Sequence, residues 1–199
     1  TAGTVARNWG LSGDPVRSLR RLLHRPRRLL PRPSLEVVAD DEVRVGFIVG
    51  TGLVANFFGL YYERGAPGYA GSARLVTQIF VESFIGGPLA ARVLAPLPCE
   101  LQVDGETLAP EAWSLVCCAV VRNLGIHMLV THRAAEDALR PHLVATPMSP
   151  RARGPRLPYV LAGRPIGGSE SVDQLTGEFR LTFAERGPYV LDGELLEAH

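Results

Sequence analysis

The stretch Val43-Arg44-Val45-Gly46-Phe47-Ile48-Val49-Gly50-Thr51-Gly52-Leu53-Val54-Ala55 decides the fold. Its first seven residues suit a strand, and Leu35-Glu36-Val37-Val38 upstream supplies a partner for it. The polar run Ala39-Asp40-Asp41-Glu42 lies between them, so 35–50 is predicted to be a β-hairpin. The second strand runs through Gly50-Thr51-Gly52 into an apolar helix, Leu53 to about Glu63, closed by Gly65. Gly50-x-Gly52-x-x-Ala55 formally fits the dinucleotide fingerprint G-x-G-x-x-G/A. That fingerprint works only in a βαβ unit, with an acid ending the second parallel strand. Here a hairpin precedes the glycines and another helix follows, so no nicotinamide or flavin site is expected. What remains is a close backbone approach and a helix N-terminus able to receive an anion.

Downstream, a third helix is predicted from Ser72, with Leu75, Val76, Ile79, Phe80 and Phe84 at helical spacing, broken by Gly86-Gly87-Pro88. From Leu97 the texture becomes β. Short runs at 99–103, 114–122, 142–146, 159–162, 178–183 and 188–191 are separated by Asp104-Gly105, Asn123-Leu124-Gly125, Gly167-Gly168 and Asp192-Gly193. Two or three helices in the N-terminal half, followed by regular short strands, predict an α+β fold, mainly an antiparallel β-sandwich or open barrel. An exposed edge strand could pair two copies into a homodimer. Residues 147–158, rich in Pro and Arg, read as a mobile loop.

Upstream, residues 12–25 read as a basic amphipathic helix capped by Ser12 or Asp14, with Pro15 in its first turn and Pro26 as its stop. Val16, Leu19, Leu22 and Leu23 share one face; Arg17, Arg20, Arg21 and Arg25 share the other. Residues 1–33 hold eight arginines and one acid, Asp14. The bland reading is a solvated face and linker. The sharper one is peripheral contact of the Arg-rich 17–32 segment with an anionic membrane surface. The expected division is a remnant or linker helix over 1–33 and a β-rich domain over 34–199. The chain opens Thr1-Ala2-Gly3-Thr4 without methionine, as a fragment or a processed product would.

Composition narrows the function classes. The 199 residues carry a formal net charge of +1, which excludes a globally basic nucleic-acid binder. The basic stretches also lack interleaved aromatic residues, so no nucleic-acid partner is expected. All 21 cationic side chains are arginine, which removes any lysine of the P-loop type. The longest apolar run, Leu115 to Val121, is far below the roughly 18–20 residues that span a bilayer. No signal peptide is visible, and a cytoplasmic location is expected, peripheral at the inner membrane face at most. Cys99, Cys117 and Cys118 have no metal-type spacing and read as buried hydrophobes in a reducing compartment. Cys117 and Cys118, adjacent in a strand, should face opposite sides of a sheet. His127 and His132 share neither a helix face nor a strand side, and the histidines read as structural. There is no G-x-S-x-G, and Ser83 and Ser114 sit in apolar periodic segments.

Two Asp-Gly-Glu triplets, 104–106 and 192–194, read first as tight hairpin turns. A glutamate just past such a turn can also be held rigidly into a cleft, as a general base requires. The residues alone do not choose between the triplets.

The order of these features resembles the C-terminal half of the diacylglycerol kinase catalytic superfamily, which includes bacterial lipid kinases and, more distantly, sphingosine and ceramide kinases. Thr1-Ala2-Gly3-Thr4-Val5-Ala6-Arg7-Asn8-Trp9-Gly10-Leu11 is similar to the family's G-T-x-N-[DT]-x-A-R-x-L-G-[LI]. Gly50-x-Gly52-x-x-Ala55 resembles its G-x-G-x-[DE]-A, and Val190-Leu191-Asp192-Gly193-Glu194 its closing V-x-x-D-G-E. The resemblance implies a β-rich domain that closes over a lipid cleft beside an α/β nucleotide domain. It also implies ATP- and magnesium-dependent phosphorylation of a lipid hydroxyl, with Glu194 accepting the hydroxyl proton. Thr1 and Thr4 are its candidates for contact with the nucleotide, and Glu106 stays a turn residue. Three departures stand out: the Gly-Gly-Asp-Gly-Thr nucleotide loop is absent, Gly3 replaces an asparagine, and the usual strand after D-G-E is expected to be missing. The isolated chain is therefore expected to transfer no phosphate. The rival expectation is a non-catalytic lipid-binding or regulatory module.

Overall fold

The computed structural model describes residues 2–11, 13–24, 32–65 and 68–199. In chain order the elements are α1 (Ala2–Asn8), α2 (Pro15–His24), β1 (Leu35–Ala39), β2 (Glu42–Gly46), β3 (Ile48–Gly52), α3 (Leu53–Glu63), α4 (Gly68–Ile85) and α5 (Pro88–Val93). Then come β4 (Leu97–Pro98), β5 (Glu100–Val103), β6 (Glu106–Thr107), β7 (Ala112–Trp113), β8 (Leu115–Ala119) and β9 (His142–Thr146). The C-terminal part adds α6 (Pro150–Arg153), α7 (Leu157–Leu161), β10 (Val172–Leu175), β11 (Phe179–Thr182), β12 (Gly187–Leu191) and β13 (Glu194–Ala198).

The α+β, antiparallel expectation holds. A six-stranded sheet in the order β10-β9-β8-β3-β12-β13 has antiparallel pairing throughout. Both of its faces are covered, which explains why β8 and β9 are buried at every residue. Val116, Cys118, Leu143 and Ala145 point to one side, where they meet Leu101, Val103, Trp113 and Phe183 of the smaller strand layer. Leu115, Cys117 and Val144 point to the other, against Val160, Ile166 and the start of α3. Cys117 and Cys118 thus face opposite layers. Burial in apolar surroundings pushes Cys117 up to about 12 and Cys99 up to about 11, so neither is a thiolate at neutral pH.

The opening stretch folds as a hairpin with an offset. Asp40 and Asp41 take φ of 48° and 66°, the left-handed pair that lets β1 and β2 close tightly. The run then breaks at Phe47, so β2 stays with β1 while β3 enters the six-stranded sheet between β8 and β12. The glycines serve close approach, as expected. At Gly52, φ is 65°, and a Cβ would stand 2.8 Å from the Ser114 backbone; at Gly50 it would stand 2.8 Å from Val116 O. Both neighbours of β3 are antiparallel to it, so the dinucleotide βαβ unit is absent.

Several sequence expectations are corrected. Residues 159–162, read as a strand from Tyr159-Val160-Leu161, lie in and just after α7, and the expected loop 147–158 holds α6 and a 3₁₀ turn at Gly154–Arg156. Pro150, Pro155 and Pro158 each sit at a first-turn position, where the missing N–H costs nothing. Gly86-Gly87-Pro88 ends α4 but also starts α5, whose first amides are capped by Glu82: its Oε2 accepts from Leu89 N at 2.8 Å and Ala90 N at 3.2 Å. The strand expected to be missing after Asp192-Gly193-Glu194 is present as β13.

At the N-terminus, α1 packs into the body. Val5 is buried, Trp9 meets Phe47 edge-on at 5.2 Å, and the Asn8 amide exchanges two hydrogen bonds with the Asn123 backbone. In contrast, α2 exposes Val16, Leu19 and Leu23 of its predicted apolar face. Arg25 and the rest of 25–31 lie outside the described residues.

Candidate functional site

A cavity of about 720 Å³ lies on the helix-covered side of the large sheet. Such a volume suits a small amphiphilic ligand. Its floor is Leu115, Cys117 and Val190 from the sheet; its walls are the aromatic stripe Phe57, Phe58, Tyr61 and Tyr62 of α3, with Val76, Ile79 and Phe80 of α4. Residues four apart on α3 turn to the same side, so Phe57 stacks on Tyr61, with ring centroids 6.4 Å apart, and Phe58 leans on Tyr62 at 6.2 Å. The sequence reading missed this stripe, although Phe57-Phe58-Gly59-Leu60-Tyr61-Tyr62 shows it at helical spacing.

The second triplet stands at the rim. Asp192 and Gly193 take φ of 51° and 93° between β12 and β13, and Asp192, Gly193 and Glu194 all border the cavity. Asp192 Oδ1 accepts from Phe47 N at 3.2 Å and Ile48 N at 3.1 Å, and Asp192 N donates to Ile48 O at 2.9 Å. The turn is thereby pinned to the bend between β2 and β3. Burial raises the Asp192 carboxyl above its ordinary value, with the two backbone hydrogen bonds pulling the other way. Tyr62 Oη donates to Gly193 O at 2.6 Å, tying the aromatic stripe to the same turn. Glu194 opens β13 opposite Leu191 and is exposed.

Of the sequence-predicted site residues, Thr4 and Glu194 border this one cavity, while Thr1 lies outside the described residues. Glu106 of the first triplet does not border it. Gly3 is exposed on α1.

Two groups escaped the sequence reading. Arg153, assigned to a loop, is buried and borders the cavity. His132, His142 and Asp173 bring their ligand atoms within 4.8 Å of one another. His142 Nε2 lies 2.8 Å from Asp173 Oδ1, and its Nδ1 is positioned to accept from Arg133 N at 3.3 Å. Both ring nitrogens are thus engaged within the protein, as in a structural histidine.

This α+β fold has known counterparts. Two solved structures from Bacillus anthracis str. Sterne, both described as candidate diacylglycerol kinases, are similar to it. One is 15% identical, with a TM-score of 0.51 over 84% of this chain and 52% of its own. The other is 12% identical, with a TM-score of 0.50 over 84% and 51%. The chain spans about half the length of these solved structures, and the shared property is the fold. No family model matches the sequence, and no curated protein matches it.

Proposed function

We propose that the chain is the lipid-side domain of an ATP- and magnesium-dependent lipid kinase. In this reading the cavity holds the apolar part of a lipid such as diacylglycerol, and Glu194 takes the proton of its hydroxyl. The observation that carries it is Glu194 on a pinned hairpin turn, at the rim of an apolar cavity. Burying an acyl chain there contributes roughly 25 cal/mol per Å² of apolar area. A carboxylate at the mouth can accept the hydroxyl proton, a contribution of about 10²–10⁴ in rate.

Mg–ATP, when bound, supplies the phosphoryl group. The apolar wall does not fit it: carboxylates stand only at one rim, and the Gly-Gly-Asp-Gly-Thr loop is not in the sequence. We assign the nucleotide to a segment outside these 199 residues, with Thr4 as the described residue that could reach it. The exposed Val16, Leu19 and Leu23 of α2, beside Arg17 and Arg20, support peripheral contact with an anionic membrane face. Each arginine near such a surface adds about 1 kcal/mol.

The test is ATP-to-lipid phosphate transfer, measured on the isolated chain and on a protein extended upstream of Thr1. Lipid binding without transfer is expected from the first and transfer from the second, where Glu194→Gln lowers kcat far more than it changes KM. Full kcat in that variant removes Glu194 from the mechanism. Gly3, standing where the resemblance has asparagine, favours a second reading, a non-catalytic lipid-binding module. It predicts binding without transfer even in the extended protein.

A further inference from the structure

Arg153 is the one arginine or acid among the buried described residues, with a relative exposure of 7%. Its Nη1 donates to Ser114 O at 3.1 Å and its Nη2 to Met148 O at 2.6 Å, while Nε is buried without an acceptor. No carboxylate pairs with it among the described residues, and those include every acidic side chain of the chain. Ser114 O also accepts Leu53 N at 2.8 Å. The guanidinium and the first amide of α3 therefore converge on one carbonyl, which sets the positive end of that helix beside the cation. Arg153 and Leu53 both border the cavity.

A buried charge without a counter-ion is costly, and two carbonyl dipoles offset only part of that cost. Burial draws Arg153 down to about 10, which still leaves it cationic at neutral pH. The lining is mostly apolar, and its two carboxylates, Asp192 and Glu194 at the turn after β12, make no ion pair with Arg153. An anion entering with an otherwise apolar ligand supplies the missing partner through charge-assisted hydrogen bonds.

We propose that the cavity takes an amphiphile bearing an anionic group as well as an apolar chain, with the anion seated on Arg153. This rests on the lipid reading above and narrows it: the acceptor is an acidic lipid that also carries a hydroxyl, rather than a neutral one. The structural alternative makes Arg153 only a clamp between the β7–β8 corner and the turn after β9.

Binding of dodecyl phosphate, dodecanoate and dodecanol to the 199-residue chain separates these readings, measured by displacement of an apolar fluorescent dye. The wild type is expected to bind at least one anionic probe ten times or more tighter than dodecanol. The phosphate and carboxylate arms tell which anion is preferred. Arg153→Lys should keep part of the preference, and Arg153→Gln should lose it with dodecanol affinity within about twofold of wild type, a clean split if uniform binding is unaffected. Equal wild-type affinity for all three probes overturns the anion site and leaves the lipid site standing, whether or not the glutamine variant folds. A preference that survives Arg153→Gln also overturns it. Binding of none of the three removes both readings together.

Discussion

The triplets Asp104-Gly105-Glu106 and Asp192-Gly193-Glu194 have the same backbone and opposite surroundings. Both turns pair a left-handed Asp (φ 47° and 51°) with a left-handed Gly (88° and 93°), and both join neighbouring antiparallel strands. Both aspartates also pin a distant chain segment. Asp104 Oδ1 accepts from Thr176 Oγ1 at 2.9 Å, Gly177 N at 2.8 Å and Glu178 N at 3.1 Å, as Asp192 does from Phe47 and Ile48. The difference lies in what the rest of the chain sets beside them. The first turn does not border the cavity and its carboxyl is held below the ordinary value, chiefly by the Glu178 amide; the second borders the cavity and its carboxyl is raised by burial. A turn motif sets geometry, and its neighbours set its chemistry.

The sharpest break between the two is catalytic. In a protein extended upstream of Thr1, Glu194→Gln is expected to lower lipid phosphorylation by about 10²–10⁴ and Glu106→Gln to leave it unchanged, as initial rates at saturating lipid will show. Equal rates for the two variants would erase the distinction.

Stability comes next, with the order reversed. Asp104→Ala strips an acceptor from two backbone amides and a buried hydroxyl, and should cost about 2 kcal/mol in urea unfolding. Asp192→Ala removes two hydrogen bonds from an already desolvated carboxylate and should cost about 1 kcal/mol.

The pH dependences have opposite signs. Asp192, raised in the fold, favours folding below its ordinary value of 3.8, and that contribution disappears as pH rises through its folded value. Asp104, lowered, contributes above 3.8 and loses that contribution as pH falls through its folded value. Thermal melts from about pH 3 to pH 6 should therefore show wild type losing ground to Asp192→Asn with rising pH, and gaining on Asp104→Asn. Parallel curves contradict the assignment. The smallest effect is Tyr62→Phe, which removes one exposed hydrogen bond to Gly193 and should shift stability by no more than about 1 kcal/mol in the same melts.

What could be read from the sequence follows from locality. Asp-Asp and Asp-Gly pairs announce left-handed turns residue by residue, so all three tight hairpins were legible. The alternation that separates Cys117 from Cys118 is equally local. Tyr159-Val160-Leu161 misled because intrinsic β preference yields to context, and three prolines at first-turn positions were the better signal. Arg153 was illegible in principle. Its burial depends on Ser114 and Met148, and nothing in a Pro/Arg-rich segment distinguishes one arginine as the interior one. From the residues alone Glu194 was one of two equivalent glutamates, and only the family resemblance preferred it; the cavity that separates them is built by α3 and α4.

The bend at Phe47 lets one unbroken run of chain serve two sheets, with the Asp192 carboxylate as its fulcrum. The β1–β2 ribbon packs Leu35, Val37 and Ala39 against the core and is held at its tip by Asp40, which accepts from Arg186 and from His199 N, while its outer surface carries Val38, Val43 and Val45. The same carboxylate therefore fixes both the corner where the sheets part and the strand end that carries Glu194, two residues away.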